Sequence, residues 1–217
     1  MKRLLIPVAL CGLLVSSPTA PSAQAKKSNS SQISVIGIRS LDRVFRDARQ
    51  LDSTIISAQQ TRRSGRQGLN SVLGLNPRST FEDGLRELRE RGNGKLRVAS
   101  RGGVPTIQSS DAVPSGVRSG VSKANAAISD YHRLLTDLVD LPSDSRALVR
   151  SARQLSLADL RSESTIQSIR DISTRIQQVR QFRANVDTIQ ALPSKSQRLM
   201  TSLQGDVGAV TRVFPSR

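Results

Sequence analysis

The stretch that decides the fold is residues 117–152, VRSGVSKANAAISDYHRLLTDLVDLPSDSRALVRSA. Its apolar residues recur at alternating steps of four and three, which is the spacing of one face of an α-helix. This stripe consists of Val117, Val121, Ala124, Ile128, Tyr131, Leu135 and Leu138. Leu141-Pro142-Ser143 then predicts a corner, because proline disfavours helix at the preceding residue and serine can cap the next helix. We therefore expect a helix, a corner and a shorter second helix.

A similar pattern occurs 51 residues further along the chain. The sequence LPSDSRAL of residues 141–148 returns as LPSKSQRL in residues 192–199, and each copy follows an apolar stripe. The second stripe comprises Ile169, Ile172, Ile176, Val179, Val186 and Ile189. The repeat predicts two helix–Leu-Pro-Ser–helix hairpins that pack on each other. A chance likeness between two corners of a common type is the alternative interpretation.

Two further helices are expected before residue 117. Apolar residues from Leu41 to Ala58 keep the helical spacing and predict a long helix over about residues 36–67. Ser79-Thr80-Phe81-Glu82 has the form of a capping box, in which a hydroxyl and a carboxylate each accept a hydrogen bond from a backbone amide of the first turn. This motif predicts the start of a short helix at about residue 80.

The helical pattern is interrupted at residues 92–116, where glycines and prolines are frequent. This region predicts either a small β-hairpin that turns at Gly102-Gly103 or a long irregular loop. Residues 36–217 are otherwise predicted to form one all-α domain. Its expected architecture is an elongated antiparallel bundle of five or six helices, built from the two hairpins and the long N-terminal helix.

The first 25 residues, MKRLLIPVALCGLLVSSPTAPSAQA, have the three-part layout of a secretory signal. Lys2 and Arg3 precede an apolar run of 12 residues, whereas a membrane-spanning helix needs about 20. Ala23-Gln24-Ala25 matches a cleavage site. We therefore predict a signal peptide at residues 1–25, a flexible lead at residues 26–35, and bacterial export to the periplasm or the extracellular space.

Composition bounds the chemistry of the exported chain. The protein carries 33 Lys and Arg against 17 Asp and Glu, a formal net charge of +16, and loss of Lys2 and Arg3 with the signal leaves +14. Such a charge attracts anionic polymers, although the excess of arginine over lysine is also what a GC-rich genome produces. Four Phe and one Tyr are too few for stacked bases, so no specific nucleic-acid recognition is expected. Cys11 lies in the signal, which excludes disulfides and thiolate metal sites afterwards.

No combination of residues predicts catalysis, a cofactor or a metal site. His132 is the only histidine and lies beside the apolar stripe, so we expect it to be exposed to solvent. Each acidic pair has an arginine at helical spacing, which favours a solvated helix face over two catalytic carboxylates. The one candidate site is a speculative anion-binding patch of arginines at one end of the bundle. Its members are Arg62, Arg63, Arg66, Arg91, Arg97 and Arg101.

These features predict an exported, non-catalytic helical protein that acts as a structural or interaction module of the cell envelope. Its partner is expected to be another protein or an anionic envelope polymer. The alternative is a basic periplasmic chaperone, or a protein that binds lipopolysaccharide, anionic lipid or extracellular DNA. No membrane span is expected in the mature chain. The narrow apolar stripes could also pair between chains, which would give a homo-oligomer.

Overall fold

The structure, a computed structural model, describes residues 31–110, 112–155 and 169–215. Within these ranges the chain forms five α-helices and one β-hairpin. In chain order the elements are α1 (Arg39–Val72), α2 (Phe81–Gly92), β1 (Leu96–Arg101), β2 (Val104–Ser109), α3 (Ser115–Asp137), α4 (Leu141–Gln154) and α5 (Ile169–Val213). The predicted all-α bundle is confirmed, with the hairpin as a small addition. The predicted signal peptide, residues 1–25, lies outside the described residues.

One hydrophobic core joins the five helices, because each buries an apolar stripe against its neighbours. Helix α1 packs along α3, and α5 contacts each of the other four helices. Two edge-to-face aromatic pairs fix these contacts: Phe45 of α1 with Phe182 of α5, and Phe81 of α2 with Tyr131 of α3. In the described part of the chain, no helix combines the length and the hydropathy needed to cross a membrane.

Helix α2 begins with a capping box that lies one residue later than predicted. Thr80 is the N-cap, and its hydroxyl accepts a hydrogen bond from the amide of Asp83 at 3.1 Å. The Asp83 carboxylate in turn accepts from the Thr80 amide at 2.8 Å. Glu82 is therefore free to form ion pairs outside the cap.

The first Leu-Pro-Ser segment lies at a corner, as predicted, but proline and serine act differently from the prediction. Helix α3 ends at Asp137 and α4 begins at Leu141, so Pro142 lies within the first turn of α4. Proline is well tolerated there, because the first amides of a helix have no intrahelical acceptor. The Ser143 hydroxyl donates to the Asp140 carbonyl at 2.8 Å, and so does not cap the helix.

The prediction of a second corner is wrong, because α5 continues through Leu192-Pro193-Ser194 without a break. Burial of Leu192 against the core outweighs the single backbone hydrogen bond that Pro193 cannot donate. The two copies of the repeat nevertheless meet. The hydroxyls of Ser145 and Ser196, at equivalent positions of the repeat, lie 3.1 Å apart, and both residues are fully buried between α4 and α5.

Residues 92–116 contain the β-hairpin, so the hairpin alternative of the prediction is confirmed. The turn consists of Gly102 and Gly103, with φ of 60° and 82°. This left-handed conformation matches the twist of a two-residue hairpin and favours glycine at both positions. Strand β2 packs on α3, where the Asn125 amide group bonds both the N–H and the C=O of Ile107 at 2.8 Å.

The chain before α1 is packed along α5 from Ile33 onward. Ile33 is buried, and the Asn185 side chain bonds both the N–H and the C=O of Ser34, at 3.2 and 2.7 Å. The Asp42 carboxylate accepts from the amides of Ile36 and Gly37 at 2.8 and 3.0 Å. Ile33 and Ser34 of the predicted flexible lead, residues 26–35, are therefore held against the bundle, and residues 26–30 lie outside the described residues. Sequence periodicity could not reveal this, because the segment is extended and held by side chains of distant residues.

Candidate functional site

Three of the six predicted arginines, Arg62, Arg63 and Arg66, line a groove between α1 and α5. The groove encloses about 240 Å³ and is completed by Gln59, Arg198, Leu199 and Ser202. We call it the arginine groove. A water molecule occupies about 30 Å³ in the liquid, so this volume is sufficient for a phosphate or sulphate group.

Arg62 is held in place by an ion pair between the two helices. Its guanidinium bonds both carboxylate oxygens of Asp206 on α5, at 2.5 and 3.2 Å. The Asp206 side chain is 13% exposed and that of Arg62 is 32% exposed, so solvent screens the pair only in part. Arg62 therefore joins α1 to α5 and has little capacity left for an external anion.

Arg63, Arg66 and Arg198 have no carboxylate partner in the described part of the chain. Arg66 is half-buried, and its Nε atom is buried without a hydrogen-bond acceptor. A buried donor without an acceptor costs about 1–3 kcal/mol, and like charges around one groove repel each other. An anion in the groove would relieve this repulsion.

A hydrogen bond from α3 holds the turn of α1 that carries these arginines. The hydroxyl of Tyr131 donates to the C=O of Arg62 at 2.7 Å. Burial raises the pKa of Tyr131 well above its ordinary value, and the Asp206 carboxylate adds to the shift, so the hydroxyl remains a donor. Gly65 permits this approach, because a β-carbon at position 65 would lie 2.7 Å from the tyrosine oxygen.

The other three predicted arginines lie outside the arginine groove. Arg91 forms an ion pair with Glu87 within α2 at 2.7 Å. Arg101 is exposed at the end of β1, next to the hairpin turn. Arg97 lies on β1 and lines a different cavity. The structure thus divides the predicted patch, because only the arginines of α1 line the arginine groove, whereas the others lie on α2 and β1.

The cavity beside Arg97 is a cleft of about 1100 Å³ between α2, β1 and the end of α5, which we call the hairpin cleft. Its charged lining residues are Arg86, Arg89, Arg97, Arg212, Glu82 and Glu90. Arg212 and Arg86 bond the two carboxylate oxygens of Glu82 at 2.8 and 2.6 Å. The hydrogen bond from Arg212 lowers the pKa of Glu82 most, with Arg86 contributing in the same direction. The cleft therefore has an excess of positive charge.

The arginine groove and the hairpin cleft are connected. A depression of about 400 Å³ between them shares Arg62 with the groove, and Arg86 and Arg212 with the cleft.

Two arginines of α5 that sequence analysis missed contribute to these cavities, Arg198 to the arginine groove and Arg212 to the hairpin cleft. One signal was present: Arg198, Ser202 and Asp206 recur every four residues and so share one face of α5. Only the pairing of α5 with α1 shows that this face meets Arg62.

The remaining candidates for chemistry are dispersed. Asp83 belongs to the α2 cap, where hydrogen bonds from Thr80 lower its pKa. Asp130 pairs with Arg133 at 3.2 Å on the surface of α3. His132 is half-buried rather than exposed, because its helix packs closely on α1. Among the described residues there is no group of three or more side chains that could hold a metal ion.

The chain was compared with protein-family models, with curated proteins and with solved structures. No family model, no curated protein and no solved structure matches it.

Proposed function

We propose that this protein is an exported, non-catalytic binding protein of the bacterial cell envelope, and that it holds phosphate groups of an anionic envelope polymer in the arginine groove. The observation that carries the proposal is the convergence of Arg63, Arg66 and Arg198 on one cavity without a carboxylate to neutralise them.

Arginine suits this task because its planar guanidinium offers several N–H donors in a fixed geometry that matches phosphate oxygens. The partial burial of Arg66 limits its side-chain freedom and so reduces the entropy lost on binding. Lipopolysaccharide, anionic phospholipid and DNA all present phosphates, so they share this recognition chemistry. The net charge of +14 that remains after loss of Lys2 and Arg3 with the signal adds a long-range attraction to each of them.

A triple variant tests the proposal. R63Q/R66Q/R198Q should bind vesicles of phosphatidylcholine and phosphatidylglycerol at least about tenfold more weakly than the unchanged protein, because each basic residue near such a surface contributes about 1 kcal/mol. Binding is measured by co-sedimentation over a range of salt concentrations, with lipopolysaccharide and duplex DNA as parallel ligands. On DNA the slope of log affinity against log salt should become shallower by about 2–3. The ligand with the largest loss identifies the preferred polymer.

The matched control is R118Q/R146Q/R150Q, which removes the same charge from exposed positions on α3 and α4. Diffuse attraction by net charge would make the two triple variants equally weak. Equal weakening, or binding indifferent to salt, would contradict a site in the arginine groove. Thermal unfolding of both variants confirms that the comparison is made between folded proteins.

A further inference from the structure

Strand β1 has a free backbone edge. In a hairpin with a two-residue turn, the residues flanking the turn form a hydrogen-bonded pair, and such pairs then alternate along the ladder. Arg101 pairs with Val104 next to the turn, so Ala99 and Arg97 also bond to β2. The N–H and C=O groups of the intervening residues, Leu96, Val98 and Ser100, therefore point away from β2.

The opposite edge of the hairpin is closed. Ile107 lies across from Val98, and both of its outward groups bond the side-chain amide of Asn125. Pro105 lies across from Ser100 and has no N–H to offer. No described residue bonds the outward groups of β1. One edge is thus protected by the fold, whereas the other remains available for pairing.

The free edge borders the hairpin cleft. Leu96, Arg97 and Val98 of β1 form part of its lining, with Phe214 and Arg212 among the residues contributed from the end of the chain. Four arginines line the cleft against two glutamates, and Glu82 is already neutralised by two of those arginines. A segment lying along β1 would therefore enter a positively charged space with apolar surface beneath it.

We infer that β1 is a docking site for an extended acidic peptide segment of a partner protein, which adds to the hairpin as a third strand. Backbone hydrogen bonds to Leu96, Val98 and Ser100 would supply the affinity that does not depend on sequence. This inference concerns the β1 edge of the hairpin cleft and does not rest on phosphate binding in the arginine groove.

The two faces of β1 predict the pattern of the peptide. Leu96 and Val98 share one face and are half-buried against the core, whereas Arg97 and Arg101 share the other and are exposed. Side chains of an added strand lie beside those of the strand they pair with. The peptide should therefore alternate apolar with acidic residues over about six positions, the length of β1.

The test starts from a displayed library of random ten-residue peptides selected on the folded protein. Enrichment of peptides that alternate apolar and acidic residues is expected. The strongest of these is then synthesised as the probe, and its affinity is measured by fluorescence anisotropy. Val98→Pro and Ser100→Pro each remove one outward N–H and should each weaken the probe about tenfold, whereas Val98→Ala and Ser100→Ala retain the N–H and should change affinity less than about threefold.

Amide hydrogen exchange provides a readout that simple charge attraction would not change. On binding of the probe, the outward amides of Val98 and Ser100 should become protected. The amides of Arg97 and Ala99, already bonded within the hairpin, should change little. Circular dichroism and thermal unfolding verify that the proline variants fold, and Ser100→Pro is the milder of the two because Ser100 is exposed and lies opposite Pro105.

Five results would overturn the inference. The first four are no enriched peptides, enriched peptides without acidic residues, proline variants that bind as tightly as their alanine counterparts, and unchanged exchange at Val98 and Ser100. R63Q/R66Q/R198Q should bind the probe no more weakly than R118Q/R146Q/R150Q, because both variants lose the same charge and neither changes a residue that lines the hairpin cleft. The fifth result is a greater loss in R63Q/R66Q/R198Q than in R118Q/R146Q/R150Q, which would place the peptide in the arginine groove. If any of these results were obtained, the role left for Arg97 and Arg101 would be to prevent aggregation through the unpaired edge of β1.

Discussion

Gly65→Val should lower the free energy of unfolding by about 3 kcal/mol, because overpacking of a close helix contact costs about 1–3 kcal/mol or more. A β-carbon at position 65 would lie 2.7 Å from the Tyr131 hydroxyl oxygen and 3.0 Å from the β-carbon of Ala127. Tyr131 is fully buried and its hydroxyl is bonded to Arg62, so it cannot move aside cheaply. Helices α1 and α3 would have to separate. Urea denaturation measures the change as a shift of the midpoint.

Gly68→Val is the matched control for this prediction. Gly68 is on the same helix, and a β-carbon there would have no neighbour within 4 Å. The change should alter stability by less than about 0.5 kcal/mol, since valine is slightly better than glycine in a helix. Equal effects at the two positions would show that the α1–α3 contact is not as close as described. The Gly65 variant should also weaken phosphate binding, because Tyr131 supports the turn that carries the arginines.

Asn185→Ala should lower the free energy of unfolding by about 2–3 kcal/mol, because it removes three hydrogen bonds, two with Ser34 and one donated by the Gln181 side chain, and leaves a buried space. Asn185 is fully buried and holds Ser34 by both its N–H and its C=O. Without it the segment that carries Ile33 loses its attachment to α5. We expect faster hydrogen exchange at the Ser34 amide together with the loss of global stability.

Arg183→Ala is the control, since Arg183 is exposed two residues earlier on the same helix. Its effect on unfolding should be within about 0.5 kcal/mol, as is usual for surface substitutions. If Asn185→Ala left both stability and the exchange of the Ser34 amide unchanged, the packing of the N-terminal segment on α5 would be refuted. If Asn185→Ala lowered the free energy of unfolding without faster hydrogen exchange at the Ser34 amide, the lost stability would come from packing in the core alone.

The elements of the bundle were predictable wherever local sequence dominates. The stripe from Val117 to Leu138 predicted α3, because a helix buries residues at a fixed spacing whatever its neighbours are. Around Gly102-Gly103 the sequence left a hairpin and an irregular loop as alternatives, and the structure has the hairpin, whose turn uses positive φ angles that glycine adopts without steric cost. The capping box was detected but placed one residue early, since Ser79 and Thr80 both carry the required hydroxyl and only Thr80 is the N-cap.

The candidate site was predictable only in part. Arg62, Arg63 and Arg66 share one helical turn, so the sequence alone places them together. Arg198 joins them because α5 lies against α1, and Arg97 is separated from them because the hairpin lies beside α2. Distances between elements are not encoded in the spacing of residues within them.

The sequence by itself determined where most of the helical stripes lie, that glycines at residues 102–103 could turn the chain, and that the chain is strongly basic. All three depend on residues that are neighbours in the chain or on composition. Only the tertiary structure decided that Pro193 lies inside a helix although Pro142 lies at a corner, since the same Leu-Pro-Ser motif occurs at both. The physical reason is that burial against α4 and the core compensates for one lost hydrogen bond in α5, and such compensation depends on contacts between residues far apart in the chain.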